Sequence, residues 1–160
     1  MEKSVMLDNI RERFNIKPRQ LETYSPLTLA YIGDVIYEVI IRVTLCEQAE
    51  RTTKDFSSQG TNLAKAVTQA KMVDALLGKC VSADTVSKDD ETTAAFLTNE
   101  EIAIYKRGRN ANLTHGSKNA STSQYRKATG FEALIGYLYL KGEEDRVLEI
   151  VKKGWELINE

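Results

Sequence analysis

The segment LAYIGDVIYEVIIRV, residues 29–43, constrains the fold more than any other part of the chain. Asp34, Glu38 and Arg42 recur in it at i, i+4 and i+8, so on a helix they form one polar ridge. Almost all of the remaining positions are apolar, which is typical of a helix at the centre of a bundle. These apolar residues are Tyr31, Ile32, Val35, Ile36, Val39, Ile40, Ile41 and Val43. Glu38 and Arg42 have the spacing of an ion pair, which leaves Asp34 unmatched within its helix. An unpaired carboxylate in such a setting is costly, so Asp34 needs a partner or a task.

A second apolar segment, ATGFEALIGYLYL at residues 128–140, repeats this situation with Glu132 as its only charge. Gly136 follows one turn later, and Gly33 stands beside Asp34, so two helix backbones can approach closely next to the acids. If the helices cross, Asp34 and Glu132 can share a divalent cation, and Mg²⁺ is commonly held by one or two carboxylates. Alternatively, Asp34 pairs with a basic residue elsewhere and Glu132 caps or bridges neighbouring helices. Spacing alone leaves both interpretations open.

Helical periodicity continues along the rest of the chain, and no long segment alternates at the period of a strand, so we predict an all-α fold. Ser25 and Pro26 predict a helix start, with the helix running to about Cys46. TNEE at residues 98–101 fits a capping box that opens a short helix through about Lys106. A further helix covers residues 125–140. The remaining predicted helices carry apolar faces formed by Leu7, Ile10 and Phe14; by Leu63, Val67, Ala70, Val73 and Leu77, ending at Gly78; and by Leu148, Val151, Trp155 and Ile158.

Composition predicts one globular, cytoplasmic domain. The chain has 160 residues, of which 42% are hydrophobic and 28% charged, and its net charge is −1. Cys46 and Cys80 form no metal-binding pair and are interpreted as reduced core thiols. The charged N-terminus is unlike a secretory signal, and no apolar run has membrane-spanning length, so we expect no membrane partner.

Basic residues concentrate between residues 102 and 131, where the chain has no Asp or Glu. The segment leads directly into the helix of Glu132. It is therefore suited to neutralise phosphates beside a metal site, although a solvated loop facing the acidic SKDDE segment explains it equally well. Loop residues such as Asn110 can reach RNA 2′-hydroxyls. Tyr125 either packs on a sugar or anchors the helix start. The cationic residues of the segment, with the only histidine, are Lys106, Arg107, Arg109, His115, Lys118, Arg126 and Lys127.

The motifs YIGDVIYE and FEALIGYLYL resemble the two metal-binding helices of the ribonuclease III family. The combination LAYIGD, KRGRN and YRKATGFEALIGYLYL, in this order, resembles the short bacterial Mini-ribonuclease III branch. This branch lacks a double-stranded-RNA-binding domain. The similarity runs from about Pro26 to Trp155, so residues 1–24 are interpreted as an N-terminal extension and residues 25–160 as the catalytic domain.

The resemblance implies a dimeric helical bundle that cleaves double-stranded RNA with Mg²⁺. Asp34 and Glu132 match the family's metal-binding acids and are the predicted catalytic residues. Lys106, Arg107, Arg109, Asn110, Lys118, Tyr125, Arg126 and Lys127 are the predicted RNA contacts. The branch is associated with maturation of 23S ribosomal RNA, so precursor ribosomal RNA is the expected substrate. A ribosomal protein or pre-ribosomal particle is a further candidate partner.

Two positions depart from full-length ribonuclease III. Ala30 and Thr129 stand where that family usually has a glutamate and an aspartate, as the short branch shows, so fewer protein ligands would hold the metal. The histidine expected near the start of the helix after Asp55 is also absent. An alternative function is a catalytically silent, dimeric helical module that binds RNA or a ribosomal protein. Cleavage of duplex RNA distinguishes the two.

Overall fold

The computed structural model of the chain describes residues 5–48, 66–78, 96–111 and 122–159. These residues contain six α-helices and no β-strand, which confirms the all-α prediction. In chain order they are α1 (Val5–Arg13), α2 (Pro26–Gln48), α3 (Ala66–Leu76), α4 (Asn99–Arg109), α5 (Thr122–Lys141) and α6 (Glu144–Ile158), and a short 3-10 helix covers Leu21–Thr23. Several residues named above lie outside the described ranges: Leu63, Cys80, residues 84–93, His115 and Lys118.

The helix starts follow local capping chemistry. The backbone N–H of Thr28 donates to Ser25 Oγ over 3.1 Å, and α2 begins at Pro26 as predicted. At the start of α4, Thr98 Oγ1 accepts from the backbone N–H of Glu101 over 3.2 Å. These side-chain oxygens satisfy backbone donors that the first turn of a helix leaves without a partner, so both predicted helix starts are confirmed. The Glu101 carboxylate of the predicted capping box bonds Arg146 of α6.

The predicted helix ends were slightly too early. α2 continues to Gln48, and α4 continues to Arg109. Gly78 follows α3 with a φ of +68°, the left-handed conformation that ends many helices and that glycine adopts without strain. None of the described helices combines the length and apolarity that a bilayer crossing requires.

Helix α5 lies at the centre of the molecule, where it packs against α2, α3, α4 and α6. Its Phe131 is fully buried and meets Tyr37 of α2 edge to face, with ring centroids 5.6 Å apart. The Tyr37 hydroxyl donates to Met72 Sδ of α3 over 3.3 Å and accepts from Trp155 Nε1 of α6 over 3.2 Å. Tyr37 thus ties four helices to one core, and burial raises its pKa to about 12.

Four sequence-based assignments of burial were wrong. Phe14 lies beyond the end of α1 and is 73% exposed, and Leu148 on α6 is 47% exposed because Val147 and Ile150 take the buried positions. Cys46 is an exposed thiol rather than a core residue. Helix α2 is buried on one side only. Its other side carries a row of exposed apolar residues, here called the α2 stripe: Leu27, Tyr31, Val35, Val39 and Val43.

Candidate active site

The candidate active site lies where α2 crosses α5. At Gly33, a Cβ atom would lie 1.7 Å from the carbonyl oxygen of Glu132, and at Gly136 one would lie 1.9 Å from the carbonyl oxygen of Leu29. The two backbones therefore touch at this crossing, and only residues without side chains fit there. The close approach of α2 and α5 was predicted from Gly33 and Gly136, and the structure confirms it.

The crossing brings Asp34 and Glu132 together. Asp34 is exposed, Glu132 is half-buried, and the two carboxyl groups are within hydrogen-bonding distance of each other. Burial raises the pKa of the Glu132 carboxyl to about 8, and the negative charge of Asp34 acts in the same direction. The site is consequently a pair of carboxyl groups, one of which sits in a partly dehydrated position and holds its proton to a higher pH than usual.

No ion pair among the described residues includes either of these acids. Arg42, the base on the same ridge, pairs with Glu38 instead, through an Nε to Oε1 hydrogen bond of 3.0 Å. That pair is the one predicted from spacing. The alternative in which Asp34 pairs with a basic residue elsewhere finds no support in the described part of the chain.

The donor set suits a hard divalent cation. Two carboxylates in contact repel each other until a cation or a proton lies between them, and Mg²⁺ prefers carboxylate oxygens and retains several waters. Across the described ranges, no group of three or more Asp, Glu, His or Cys side chains could hold a metal. Asp34 and Glu132 would therefore supply a sparse protein ligand set, with water or substrate oxygens completing it.

The two positions that lack the family's usual acids do not add ligands. Ala30 is 5% exposed and packs with Leu29 and Ala133 near the crossing. Thr129 is 6% exposed, and its hydroxyl donates to the backbone carbonyl of Tyr125 over 3.0 Å. Its hydroxyl hydrogen is thus used within α5.

The described basic residues divide by exposure. Lys106 and Arg107 at the end of α4 and Arg126 at the start of α5 are exposed. Arg109 is half-buried, lies 5.7 Å from the ring centroid of Tyr105, and donates to Asn110 Oδ1 over 3.3 Å.

Contact between helices α4 and α5 brings the two basic ends together. A Cβ atom at Gly108 would lie 2.8 Å from the Cα of Gly130, so α4 approaches α5 closely two residues before Glu132. Arg107 and Arg109 flank Gly108 and are therefore carried near the helix of Glu132.

The side chains of Lys127 and Tyr125 are less exposed to solvent than an RNA-binding role predicts. Lys127 Nζ lies 2.8 Å from Asp74 Oδ2 on α3, and each side chain of the pair is about one-third exposed, at 29% and 32%. Tyr125 is half-buried. Lys127 therefore has a protein partner, and its contact with RNA stays a prediction, as do the RNA contacts of the other named residues.

Sequence reasoning missed Gln69. This α3 residue is fully buried, and its side chain hydrogen-bonds to Glu132, which lowers the pKa of that carboxyl against the larger effect of burial. A usable signal was present, because Gln69, Val73 and Leu76 recur at i, i+4 and i+7 on the apolar face of α3. A polar residue on such a face requires a partner.

The Ribonuclease III domain family matches residues 27–143, which include both acids and all of the central helix α5. The chain belongs to the ribonuclease III family and is an endoribonuclease of that type. The family acts on double-stranded RNA.

Within the family, the chain is similar to proteins named Mini-ribonuclease 3. It is 39% identical to the one from Clostridium tetani, over 84% of this chain and 78% of the relative. It is 35% identical to that of Enterococcus faecalis, over 83% and 89% of the two chains, and 28% identical to that of Staphylococcus aureus, over 91% and 98%. A crystal structure of a Fusobacterium nucleatum protein shares the fold, with a TM-score of 0.65, 24% identity, and coverage of 81% of this chain and 90% of that one.

Proposed function

We propose that this endoribonuclease cleaves double-stranded RNA with a Mg²⁺ ion held by Asp34 and Glu132. The observation that carries the proposal is the contact between these two carboxyl groups, which no described lysine or arginine neutralises. A bound Mg²⁺ polarises a phosphodiester and lowers the pKa of an attacking water. Asp34 is the exposed member of the pair and faces the solvent from which RNA arrives, whereas Glu132 is held among packed helices.

Binding of the RNA backbone is assigned to the basic ends of α4 and α5. Lys106, Arg107 and Arg126 are exposed and free to meet phosphates, and Arg109 is preoriented by Tyr105 and Asn110. Phosphate contacts of this kind position a nucleic acid without reading its sequence. Tyr125 and Lys127 remain candidate contacts at the edge of this surface. Lys118 lies outside the described residues and remains a candidate from the sequence alone.

A homodimer is proposed from the α2 stripe. Its residues recur every four positions along α2 and extend over roughly 24 Å at the rise of an α-helix. Tyr31 is 81% exposed and Val43 57% exposed in the single chain. A continuous apolar row of this kind marks an interaction surface. A second copy of the chain carries the same row, so the two α2 helices can pack against each other across a two-fold axis. Asp34 lies on the same helix, so pairing would also bring two active sites to one assembly.

The proposed natural substrate is the precursor of 23S ribosomal RNA, because the branch that the sequence resembles is associated with its maturation. The chain would then work in the cytoplasm, with a ribosomal protein or pre-ribosomal particle as a further candidate partner. Incubation of the purified protein with precursor and mature 23S transcripts tests this. Discrete shortening of the precursor alone is expected, and identical digestion of both RNAs would contradict the assignment.

The metal-ligand assignment is tested with Asp34→Asn and Glu132→Gln. Each replaces a carboxylate with a neutral group of similar shape. We expect both variants to retain the helical circular dichroism and the molecular mass of the wild type, and to lose cleavage of a long RNA duplex in Mg²⁺.

Glu38→Gln is the matched control, since it removes the same charge one turn from Asp34 on the same helix. Because Glu38 pairs with Arg42, this variant should continue to cut. Undiminished cutting by Asp34→Asn or Glu132→Gln would refute the assignment.

A further inference from the structure

Gln69 is a buried polar residue whose side chain bonds one of the two proposed metal ligands. It lies on α3, a helix that contributes neither acid, and its relative exposure is 0%. Burying a primary amide costs free energy unless the group is hydrogen-bonded. An apolar side chain of the same length would fill this space without that cost, so the amide invites a functional explanation.

The side chain of Gln69 bonds to the carboxyl group of Glu132. A carboxylate oxygen can only accept a hydrogen bond, so the amide N–H of Gln69 is the donor. Gln69 thus connects α3 to the carboxyl group of Glu132 on α5 through a buried side-chain hydrogen bond.

Helix α3 is held in a defined rotation, which gives this bond its direction. Met72, one turn after Gln69 on the same side, accepts a hydrogen bond from Tyr37 over 3.3 Å. Its side chain also meets Gly154 of α6, where an added Cβ would lie 2.8 Å from the Met72 methyl carbon. Because Met72 packs between α2 and α6, this side of α3 is turned toward the core, and Gln69 meets α5.

The geometry points to Gln69 as the positioning residue that holds the Glu132 carboxylate toward Asp34 for binding of a divalent cation. A glutamate side chain has three rotatable bonds, and repulsion from Asp34 drives the carboxylate away from its neighbour. A donor from a third helix opposes that rotation and still leaves carboxylate lone pairs for a metal. Hydrogen bonds to metal-ligating carboxylates commonly have this role. The inference rests on the proposed function, since it presupposes a cation at Asp34 and Glu132.

Gln69→Met tests the inference, because methionine keeps the unbranched shape and removes the amide. Mn²⁺ is the probe, and the free ion is measured by its electron paramagnetic resonance signal in titrations of the full chain. The part of the binding that Asp34→Asn abolishes defines the site. We expect Gln69→Met to weaken Mn²⁺ affinity at this site by roughly 10–100-fold. In duplex cleavage at saturating metal, kcat should fall and KM for RNA should stay unchanged, since the buried Gln69 does not reach RNA.

Leu76→Met is the matched control, because it alters a comparably buried side chain of the same helix that takes no part in orienting Gln69. Its Mn²⁺ affinity should equal that of the wild type. Gln69→Leu serves as a second variant if Gln69→Met does not fold, as judged by thermal unfolding. Wild-type Mn²⁺ affinity in both Gln69 variants, or an equal loss in Leu76→Met, would overturn the inference. Cleavage that survives Asp34→Asn and Glu132→Gln would instead overturn the proposed function itself.

Discussion

At the scale of single residues, Glu132 places an ionisable group in an environment that disfavours its ionised form. Its carboxyl lies among packed helices, touches Asp34, and receives one compensating hydrogen bond from Gln69. Such perturbed groups cluster at functional sites. The same environment makes the stability of the metal-free protein depend on pH.

The predicted pH dependence follows from the raised pKa of Glu132. That pKa is about 8 in the folded chain and close to 4.5 when the chain unfolds, so the folded state binds the proton more tightly. The resulting stability is fully present below about pH 4.5 and is lost as the pH rises to about 8. In EDTA, the free energy of unfolding of the wild type should therefore fall by on the order of 2–4 kcal/mol relative to that of Glu132→Gln across this window.

Urea denaturation of both proteins at a series of pH values measures this difference. The comparison with Glu132→Gln removes the contribution of other titrating groups. A constant difference between the two proteins from pH 4.5 to pH 8 would contradict the prediction.

At the scale of elements, the α2–α5 crossing is the contact on which the site depends. A side chain at Gly33 or Gly136 would collide with backbone atoms of the partner helix, which cannot rotate away. Alanine at either position must push the helices apart, and Asp34 would then separate from Glu132. Such a substitution should therefore lower both the free energy of unfolding and the rate of RNA cleavage.

Gly33→Ala and Gly136→Ala are each expected to lower the free energy of unfolding by about 2 kcal/mol or more and to reduce cleavage. Gly154→Ala is the control, because the atom closest to its added Cβ is the terminal methyl of Met72, a flexible side chain. There the gain in helix propensity, about 1 kcal/mol, offsets the crowding. Chemical denaturation compares the three variants. If Gly33→Ala were as stable as Gly154→Ala, the result would contradict the close backbone contact between α2 and α5.

At the scale of the whole molecule, the α2 stripe predicts assembly. Val35→Lys combined with Val39→Lys places two charges on the stripe, which should oppose burial of α2 against a second copy. We expect the wild type to have the mass of a dimer in light scattering and the variant that of a monomer. Leu148→Lys is the control, since it charges an exposed apolar residue on α6 and should leave the mass unchanged. A wild type that is monomeric at micromolar concentration would contradict the proposal.

The distribution of charge over the molecule yields a second prediction at this scale. Net charge is only −1, so affinity for RNA must come from local clusters such as the basic ends of α4 and α5. Arg107→Ala combined with Arg126→Ala should weaken duplex binding and lower the slope of log affinity against log salt by about 2, one for each lost phosphate contact.

Filter binding in Ca²⁺ over a range of salt concentrations measures the slope. Lys17→Ala combined with Lys152→Ala removes the same charge from exposed positions outside the basic segment and should leave the slope unchanged. Equal effects of the two double variants would show that only total charge matters.

Much of the fold was predictable from the sequence because its signals are local. Ser25 and Thr98 cap helices through bonds within one turn, and Glu38 meets Arg42 through the i, i+4 geometry of a single helix. Each depends only on residues a few positions apart. Asp34 and Glu132 were also identified from the sequence, because a charged residue among apolar neighbours is a local signal.

The sequence by itself thus determined that the fold is helical, where α2 and α4 begin, and which carboxylates stood out. Only the tertiary structure decided which apolar side each helix buries, and so exposed the α2 stripe and Leu148. It likewise decided that Lys127 meets Asp74 and that Gln69 reaches Glu132, in each case between different helices. The physical reason is that periodicity defines a face without naming its partner, and the partner is chosen by packing among segments far apart in the chain.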